Sequence, residues 1–300
     1  MGIRQLWQSL HKKAPGAFAD DGLARIAGMA AFVDVPVFAY AALRVFGRDE
    51  AVADNVISLA TRLHRAGAVS CALVFDGTPH ALKAEELARR RALSAETETK
   101  APKAPEQPMT LGTTMIITDL DIPLGAHSSS KPSKSTFECI RTAAAGAHFP
   151  EGFLECIEAP ADAEATCAAK AAVCNGVVLT SDSDALTFGA PHVLRYQPGA
   201  HGYTFVTLAE VLQALNMDLA AFRQWCVMCG SDFCEPIQKL GPMTSLKYIC
   251  ELGGRANDGR DLIGEILEKR AQLQDPKMQD PSAALFAARY KSALDIFVRA

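Results

Sequence analysis

The sequence predicts an α/β protein built on a mainly parallel sheet, and three observations support this fold class. Residues 30–35 form an apolar run with Asp34 near its carboxyl end. Residues 69–75 form a second apolar run, which Asp76 follows directly. Between the two runs, residues 49–66 carry apolar side chains at helical spacing. A strand, a helix and a strand in this order are typical of a parallel sheet.

The other elements predicted up to residue 145 do not follow the regular alternation of strand and helix. Residues 36–46 predict a helix that follows the first strand. Residues 83–93 predict a charged helix, which is either a solvated face or a set of cations that contact phosphate. Residues 94–109 contain three prolines and cannot form a regular helix. A short strand is expected at residues 114–122, and a helix resumes at residues 136–145.

The second half of the chain continues the alternation of strands and helices. Strands are expected at residues 153–157, 177–180, 192–196 and 203–206. Helices are expected at residues 163–172, 208–215, 219–228 and 243–252, and a helical tail from residue 258 has a break at residues 274–281. Residues 237–242 form a tight turn between two helices, where backbone N–H groups can face a phosphate.

Four carboxylates, those of Asp162, Glu164, Asp182 and Asp184, gather around one predicted helix and one predicted strand. Asp162 and Glu164 lie in the first turn of the helix, whose positive end suits acids. Asp182 and Asp184 follow the strand at its carboxyl end, where α/β sheets build sites, and lean the same way if the backbone stays extended. Converging acids repel one another unless cations lie between them. The pattern indicates either a divalent metal site or a solvated acidic loop.

Composition sets broad limits on the function. The 300 residues are 49% hydrophobic, enough for a sizeable core in one or two domains. The net charge of -4 gives no overall signal of a nucleic-acid binder, so such a role requires local basic patches. Without a secretory signal or a run of about eighteen apolar residues, no membrane span is expected and the protein is expected to be intracellular.

Nine cysteines show no paired framework, which indicates a reducing compartment. Cys226 and Cys229, with Cys234 and Cys250 nearby, have a spacing compatible with zinc. No histidine has a matching spacing and the segment has the pattern of an apolar helix, so buried thiols are the favoured interpretation.

Several sequence blocks occur in a fixed order over most of residues 1–250. They are Met1-Gly2-Ile3; Val33-Asp34 with Tyr40; Val74-Phe75-Asp76-Gly77 with Lys83 and Arg90; Glu158-Ala159-Pro160-x-Asp162-Ala163-Glu164; Thr180-x-Asp182-x-Asp184; and Gly230-Ser231-Asp232 with Leu240-Gly241-Pro242. Together they resemble the flap endonuclease branch of the structure-specific 5′ nucleases, the XPG/Rad2-type family.

The resemblance implies a fold and an organisation. The fold is a central, mainly parallel twisted β-sheet flanked by helices on both faces, of the PIN-like 5′ nuclease type. The resemblance implies a single nuclease domain. Its parts are an N-terminal region at 1–83, an arch insertion at 84–137, an internal region at 138–250 with a helix–two-turn–helix at about 226–252, and a helical tail at 251–300.

The resemblance also implies an active site. Two Mg²⁺ ions, or Mn²⁺ in their place, would be held by seven acids: Asp34, Asp76, Asp162, Glu164, Asp182, Asp184 and Asp232. Lys83 and Arg90, seven residues apart on one helix face, would offset charge on the scissile phosphate. Tyr40 would stack on a base, although ordinary core packing is the alternative from the residues alone.

Further contacts to DNA are implied at the edges of this site. They involve Gly2, Arg89, Lys131, Lys134, Gly241 and Lys247. A K⁺ ion at the helix–two-turn–helix is also implied. Departures from the family pattern occur here, since Lys239 replaces a usual glycine and Met243 and Thr244 replace usual basic residues.

Three functions remain open. The first is metal-dependent cleavage of branched or 5′-flap DNA in replication, recombination or repair. The second is cleavage of RNA with the same metal site, as in some viral relatives, and the third is a catalytically silent scaffold that binds nucleic acid. We expect a monomer in the nucleus or at another site of DNA replication, although no clear nuclear-localisation signal is present. The sequence offers no motif for a sliding-clamp partner.

Overall fold

The structure is a computed structural model, and it describes residues 3, 5–85, 88–89, 131–197, 202–276 and 279–299. Gly2, Arg90, the proline-rich residues 94–109 and the strand expected at 114–122 lie outside the described residues.

One seven-stranded sheet forms the centre of the fold. Its strands are β1 (Phe18–Ala19), β2 (Ala30–Asp34), β3 (Ser70–Phe75), β4 (Leu154–Glu158), β5 (Val177–Leu179), β6 (His192–Gln197) and β7 (Gly202–Thr207). Their spatial order is β1-β7-β6-β5-β2-β3-β4. The five strands from β4 to β6 in this order pair in parallel, whereas β7 is antiparallel to both of its neighbours. The mainly parallel sheet is therefore confirmed.

Helices surround this sheet. The α-helices are α1 (Leu6–Lys13), α2 (Val35–Phe46), α3 (Asp49–Arg65), α4 (Lys134–Gly146), α5 (Ala163–Cys174), α6 (Asp184–Phe188), α7 (Leu208–Leu215), α8 (Leu219–Cys229), α9 (Pro242–Glu251), α10 (Leu262–Gln272) and α11 (Pro281–Arg299). Residues 81–85 and 88–89 are also helical, and 3₁₀ turns lie at Pro15–Ala17 and Gly22–Ile26. Among the described helices, none is long and apolar enough to span a bilayer.

The central strands bury apolar side chains on both faces, because side chains alternate along a strand. On β2, Phe32 packs into the core cluster shared with α1, α5 and α7–α11. Its neighbours Ala31 and Val33 pack into the other cluster, with α2, α3 and α4. The two cores confirm the prediction that helices cover both faces, as expected for a parallel sheet.

The predicted elements match the observed ones closely along the described chain. The helix expected at residues 208–215 has those bounds, and the break predicted at 274–281 separates α10 from α11. The strand expected at 177–180 ends one residue earlier, at Leu179. Helix α4 begins at Lys134, so it overlaps the last residues of the predicted arch insertion. The division of the chain into regions stays a prediction.

Candidate active site

Three of the acids predicted for the site lie at the carboxyl ends of neighbouring parallel strands. Asp34 is the last residue of β2, Asp76 follows β3, and Asp182 lies three residues after β5. Strand β2 lies between β3 and β5, so the three strand ends are adjacent. Carboxyl ends of strands are where open α/β sheets bind ligands.

Asp34 is held by a threonine from the neighbouring strand end. Its side chain is 2% exposed, and Thr180 donates its hydroxyl to Asp34 Oδ2 at 2.8 Å. The Thr180 hydroxyl oxygen also accepts the backbone N–H of Asp182 at 3.0 Å. One hydroxyl thus ties two of the predicted metal ligands together. Sequence analysis assigned Thr180 no role, and a polar residue that ends an apolar strand beside two acids was the available signal.

Asp76 and helix α5 meet through a backbone contact that requires glycine. Asp76 Oδ1 accepts the N–H of Ala163, the first residue of α5, at 2.8 Å. Gly77 N–H donates to the carbonyl of Ala161 at 2.7 Å. A Cβ at residue 77 would lie 2.0 Å from the carbonyl oxygen of Ala159, so no other residue fits this approach. The contact brings Asp76 next to Asp162 and Glu164.

The loop after β5 forms a turn rather than an extended segment. Asp184 begins α6, and its N–H donates to Asp182 Oδ1 at 3.1 Å. The backbone is therefore not extended here, and the condition under which Asp182 and Asp184 would lean the same way is not met. A side chain that accepts an N–H two residues ahead favours a turn over continued strand pairing. Both carboxylates are nevertheless buried.

The N-terminal segment closes over this loop. Ile3 N–H donates to Asp184 Oδ1 at 2.9 Å, and Ser183 Oγ donates to the carbonyl of Ile3 at 3.4 Å. The Trp7 indole donates to the carbonyl of Ser181 at 3.0 Å. Ile3 and Trp7 are thus part of the wall of the site.

Asp232 reaches the site from a different layer. It lies in the loop that follows α8, and its side chain is 4% exposed. Gly230 turns the chain at φ 90°, a region that disfavours side chains, and a Cβ there would meet the Pro236 ring at 2.4 Å. The charge of Asp232 acts on Lys83, Asp182 and Asp184.

Lys83 contacts the acids at the start of α5. Its Nζ lies 2.7 Å from Asp162 Oδ1 and 3.5 Å from Glu164 Oε1, with the lysine side chain 18% exposed. Burial alone would lower the pKa of Lys83, but the charges of Glu164, Asp162 and Asp232 outweigh it and raise that pKa. The ammonium group is therefore held charged among the acids.

Burial and mutual repulsion disfavour ionisation of the acids. Burial, with the charges of Asp182 and Asp76, raises the pKa of Asp34 to about 7, although the Thr180 hydrogen bond opposes the shift. Burial followed by neighbouring carboxylates raises the pKa of Glu164 and Asp184 well above the ordinary value. Additional positive charge at this edge would relieve the repulsion.

The donor chemistry of the cluster fits hard divalent cations, which prefer oxygen ligands. Glu164 Oε1 and Asp184 Oδ2 are buried and have no hydrogen-bond partner among the described residues. However, no three His, Cys, Asp or Glu residues of the described chain lie close enough together to form a ready-made metal cage. The residues therefore fit such ions by type and burial, and their oxygens must draw together to hold one.

Among the predicted DNA contacts, Lys83 lies at the acids, and the other described ones are Tyr40, Arg89, Lys131, Lys134, Gly241 and Lys247. Tyr40 is 39% exposed, so it is not a core residue and its ring is available for stacking. Arg89 pairs with Glu235 rather than standing free. Lys131 and Lys134 are exposed.

The predicted helix–two-turn–helix consists of α8, the loop at 230–241 and α9. Gly241 precedes α9, and a Cβ added there would meet no atom within 4 Å. Lys247 is 73% exposed on α9 and lies 3.9 Å from Glu251. Both residues are accessible to a ligand, and their roles remain predictions.

The C-terminal helix α11 supports the site, a role that sequence analysis did not assign. Phe297 is fully buried, with its ring 4.8 Å from that of Phe188 and 5.3 Å from that of Phe233. These two phenylalanines lie at the end of α6 and next to Asp232. A cleft of about 550 Å³ separates α11 from Asp162.

The cysteines form no disulfide, and five of the nine are buried. All nine are free thiols, and Cys226, Cys229 and Cys234 are buried in the core. Helix α8 and the burial of Cys226 and Cys229 within it confirm the interpretation of this segment as an apolar helix with buried thiols.

Sequence comparisons show that the chain is similar to a nuclease family and to two of its members in other organisms. The family described as the XPG I-region matches residues 154–232. Flap endonuclease 1 of Glycine max is 30% identical over 293 residues, which cover 92% of this chain and 72% of that protein. Flap endonuclease 1 of Aspergillus clavatus is 29% identical over 279 residues, which cover 84% of this chain and 64% of that protein.

A solved structure extends the relationship to the fold. The catalytic core of Rad2 in complex with DNA substrate is 18% identical and superposes with a TM-score of 0.63, covering 96% of this chain and 86% of that one. At this identity the likeness concerns the fold. The chain spans about two thirds of the length of the two curated relatives.

Proposed function

Because the chain belongs to the flap endonuclease family of structure-specific 5′ nucleases, we propose that it hydrolyses phosphodiester bonds of branched or 5′-flap DNA at the acidic edge of its sheet. The observation that supports this site most strongly is the convergence of buried carboxylates with one charged lysine. Asp34, Glu164 and Asp184 are each less than 7% exposed, and the XPG I-region match at residues 154–232 includes Glu164 and Asp184. Burying acids that repel one another destabilises the fold. Such a set therefore indicates a functional site.

The proposed cofactor is a pair of Mg²⁺ ions, with Mn²⁺ as a substitute. When bound, such ions activate water and stabilise the attacking and leaving oxygens of the phosphate. The seven acids that would hold them, directly or through water, are Asp34, Asp76, Asp162, Glu164, Asp182, Asp184 and Asp232. A K⁺ ion at the turn before α9 is a further proposal, carried only by the resemblance of that turn to the family's.

The chain's own residues would orient the acids and the substrate. Thr180 fixes the carboxylate of Asp34, and Ile3 fixes that of Asp184. Lys83 would contact the scissile phosphate once it leaves the carboxylates that it now contacts. Exposed Tyr40 would stack on a base near the cleaved bond.

A duplex arm of the substrate would lie along the α8–α9 side of the molecule. Lys247 is exposed there and Gly241 leaves room for a phosphate to approach α9. The Rad2 catalytic core, which shares the fold, was solved with DNA substrate bound. We propose a monomer acting in replication, recombination or repair, in the nucleus or at another site of DNA synthesis.

The experiment that tests this function compares two nucleic acids in one assay. A 5′-labelled double-flap DNA and a single-stranded RNA of the same sequence are incubated with the protein, in Mg²⁺ and in EDTA. Magnesium-dependent release of a flap-sized DNA product, with the RNA intact, is the expected result. Preferential cleavage of RNA would overturn the proposal that DNA is the substrate. Absence of cleavage in both Mg²⁺ and Mn²⁺ would favour a catalytically silent scaffold.

A further inference from the structure

Lys83 contacts two acidic side chains that the sequence did not predict as its partners. The resemblance assigns it to the scissile phosphate, yet its ammonium group contacts two of the acids that would hold metal. We infer that Lys83 is an internal counter-ion that competes with the divalent cation for Asp162 and Glu164, and that cation binding releases it toward the substrate phosphate. This inference rests on the proposed function of the same site.

The contacts are those of a bound cation rather than of a surface pair. Lys83 Nζ is 2.7 Å from Asp162 Oδ1, and the side chains of Asp162 and Glu164 are 9% and 7% exposed. Glu164 Oε1 has no hydrogen-bond partner, so the ammonium group at 3.5 Å is the nearest described cation. A buried acid gains most from such a neighbour because water is excluded.

A divalent ion and the ammonium group cannot share these oxygens without strong repulsion. Mg²⁺ binds carboxylate oxygens at about 2.1 Å, which would bring it close to an ammonium group in hydrogen-bond contact with the same carboxylate. No three acids of the described chain are now close enough to form a cage, and the lysine lies between two of the predicted ligands. Removing the lysine from this position is therefore part of forming the metal site.

The release requires movement of one flexible side chain. Lys83 lies on the helical segment 81–85, and Glu85 of that segment pairs with Arg289 of α11 at 2.9 Å. This pair ties the segment to the C-terminal helix while the four-carbon stem of lysine remains free to rotate. The ammonium group can thus pass from carboxylate to phosphate without unfolding of the helix.

Metal affinity measured without DNA tests the competition. Mn²⁺ is titrated by calorimetry into wild type, Lys83→Met, Lys83→Arg and Lys170→Met. Lys83→Met keeps an unbranched apolar stem and loses the charge, so we expect Mn²⁺ to bind about tenfold more tightly. Lys83→Arg keeps the charge, and Lys170→Met removes an exposed lysine from the same helix as Glu164. Lys170→Met should bind Mn²⁺ as wild type does, and Lys83→Arg should bind it no more tightly than wild type. Unchanged or weaker binding by Lys83→Met would overturn the inference.

A second measurement uses the wild-type protein, in case Lys83→Met does not fold. Lysines are acylated briefly with an activated ester, with and without Ca²⁺, and labelling of each lysine is quantified by mass spectrometry. We expect Ca²⁺ to increase labelling of Lys83 several-fold and to leave Lys170 unchanged; equal or reduced labelling of Lys83 would overturn the inference. Mn²⁺ affinity and lysine labelling are both measured without cleavage. Failure of the nuclease assay alone would therefore reject the proposed DNA substrate. The competition between Lys83 and the cation would still be decided by these two measurements.

Discussion

Replacing Asp34 by Asn should stabilise the metal-free protein at neutral pH. Asp34 is 2% exposed, and burial together with the charges of Asp182 and Asp76 raises its pKa from 3.8 to about 7. Between these two values the unfolded chain releases its proton before the folded chain does. The free energy of unfolding therefore falls as pH rises through this window, and the penalty is fully present above pH 7.

The size of the expected stabilisation follows from the pKa shift of Asp34. Roughly three pKa units at about 1.4 kcal/mol each give a penalty of about 4 kcal/mol at pH 8. Asn can still accept the Thr180 hydroxyl, but its N–H₂ group is left to be satisfied at a cost of about 1–2 kcal/mol. We expect a net gain of about 2–3 kcal/mol at pH 8, and no gain at pH 4.5.

Urea unfolding in EDTA, followed by tryptophan fluorescence at both pH values, measures this difference. Asp54→Asn is the matched control, since Asp54 is exposed on α3 and its substitution should not change the pH dependence. Excess Mg²⁺ should stabilise wild type more than Asp34→Asn, because the variant lacks the charge of one proposed ligand. If Asp34→Asn were no more stable than wild type at pH 8 without metal, the electrostatic reasoning would be refuted.

Two further substitutions test the residues that support the site. Thr180→Val removes the donor to Asp34 and the acceptor for the Asp182 N–H, so it should cost about 1–3 kcal/mol in urea unfolding. It should also move the acid limb of the pH–rate profile to higher pH, and an unmoved limb would count against the role of this hydroxyl. Phe297→Ala should cost about 3–5 kcal/mol by leaving a cavity beside Phe233 and should lower kcat, whereas the exposed neighbour control Val298→Ala should change neither. Equal effects of the two variants would reject a specific role for Phe297.

The fold and the identity of the acids could be predicted because the signals are local. The apolar run that ends at Asp34 and the run before Asp76 each specify a buried strand, and parallel strands bring their carboxyl ends together. Glycine at residue 77 was part of the motif, and its structural reason is the approach of the Ala159 carbonyl. Short-range pattern and strand polarity predicted these two acids at strand ends, whereas their assignment to one metal site came from the resemblance to the family.

The remaining features depend on contacts between distant residues. The lysine at 83 meets Asp162 79 positions later, and Phe297 packs against side chains from two earlier elements. The periodicity of the sequence does not show which distant residue either side chain contacts, since any buried phenylalanine or any charged helix has the same sequence pattern. The turn at Asp182 differs from these contacts because it is local: the Asp182 side chain accepts the N–H of Asp184 and so competes with the extended conformation.

The central claim is that the buried acids perform catalysis rather than stabilise the fold. Asp182→Asn removes one charge and keeps an oxygen that can accept the Asp184 N–H. The most direct measurement is the single-turnover cleavage rate of 5′-flap DNA in Mg²⁺ beside the DNA affinity in Ca²⁺, for this variant and wild type. We expect cleavage to be abolished and affinity to be retained or increased, because less negative charge faces the phosphates. An equal loss of binding and cleavage, or unchanged cleavage, would contradict the assignment.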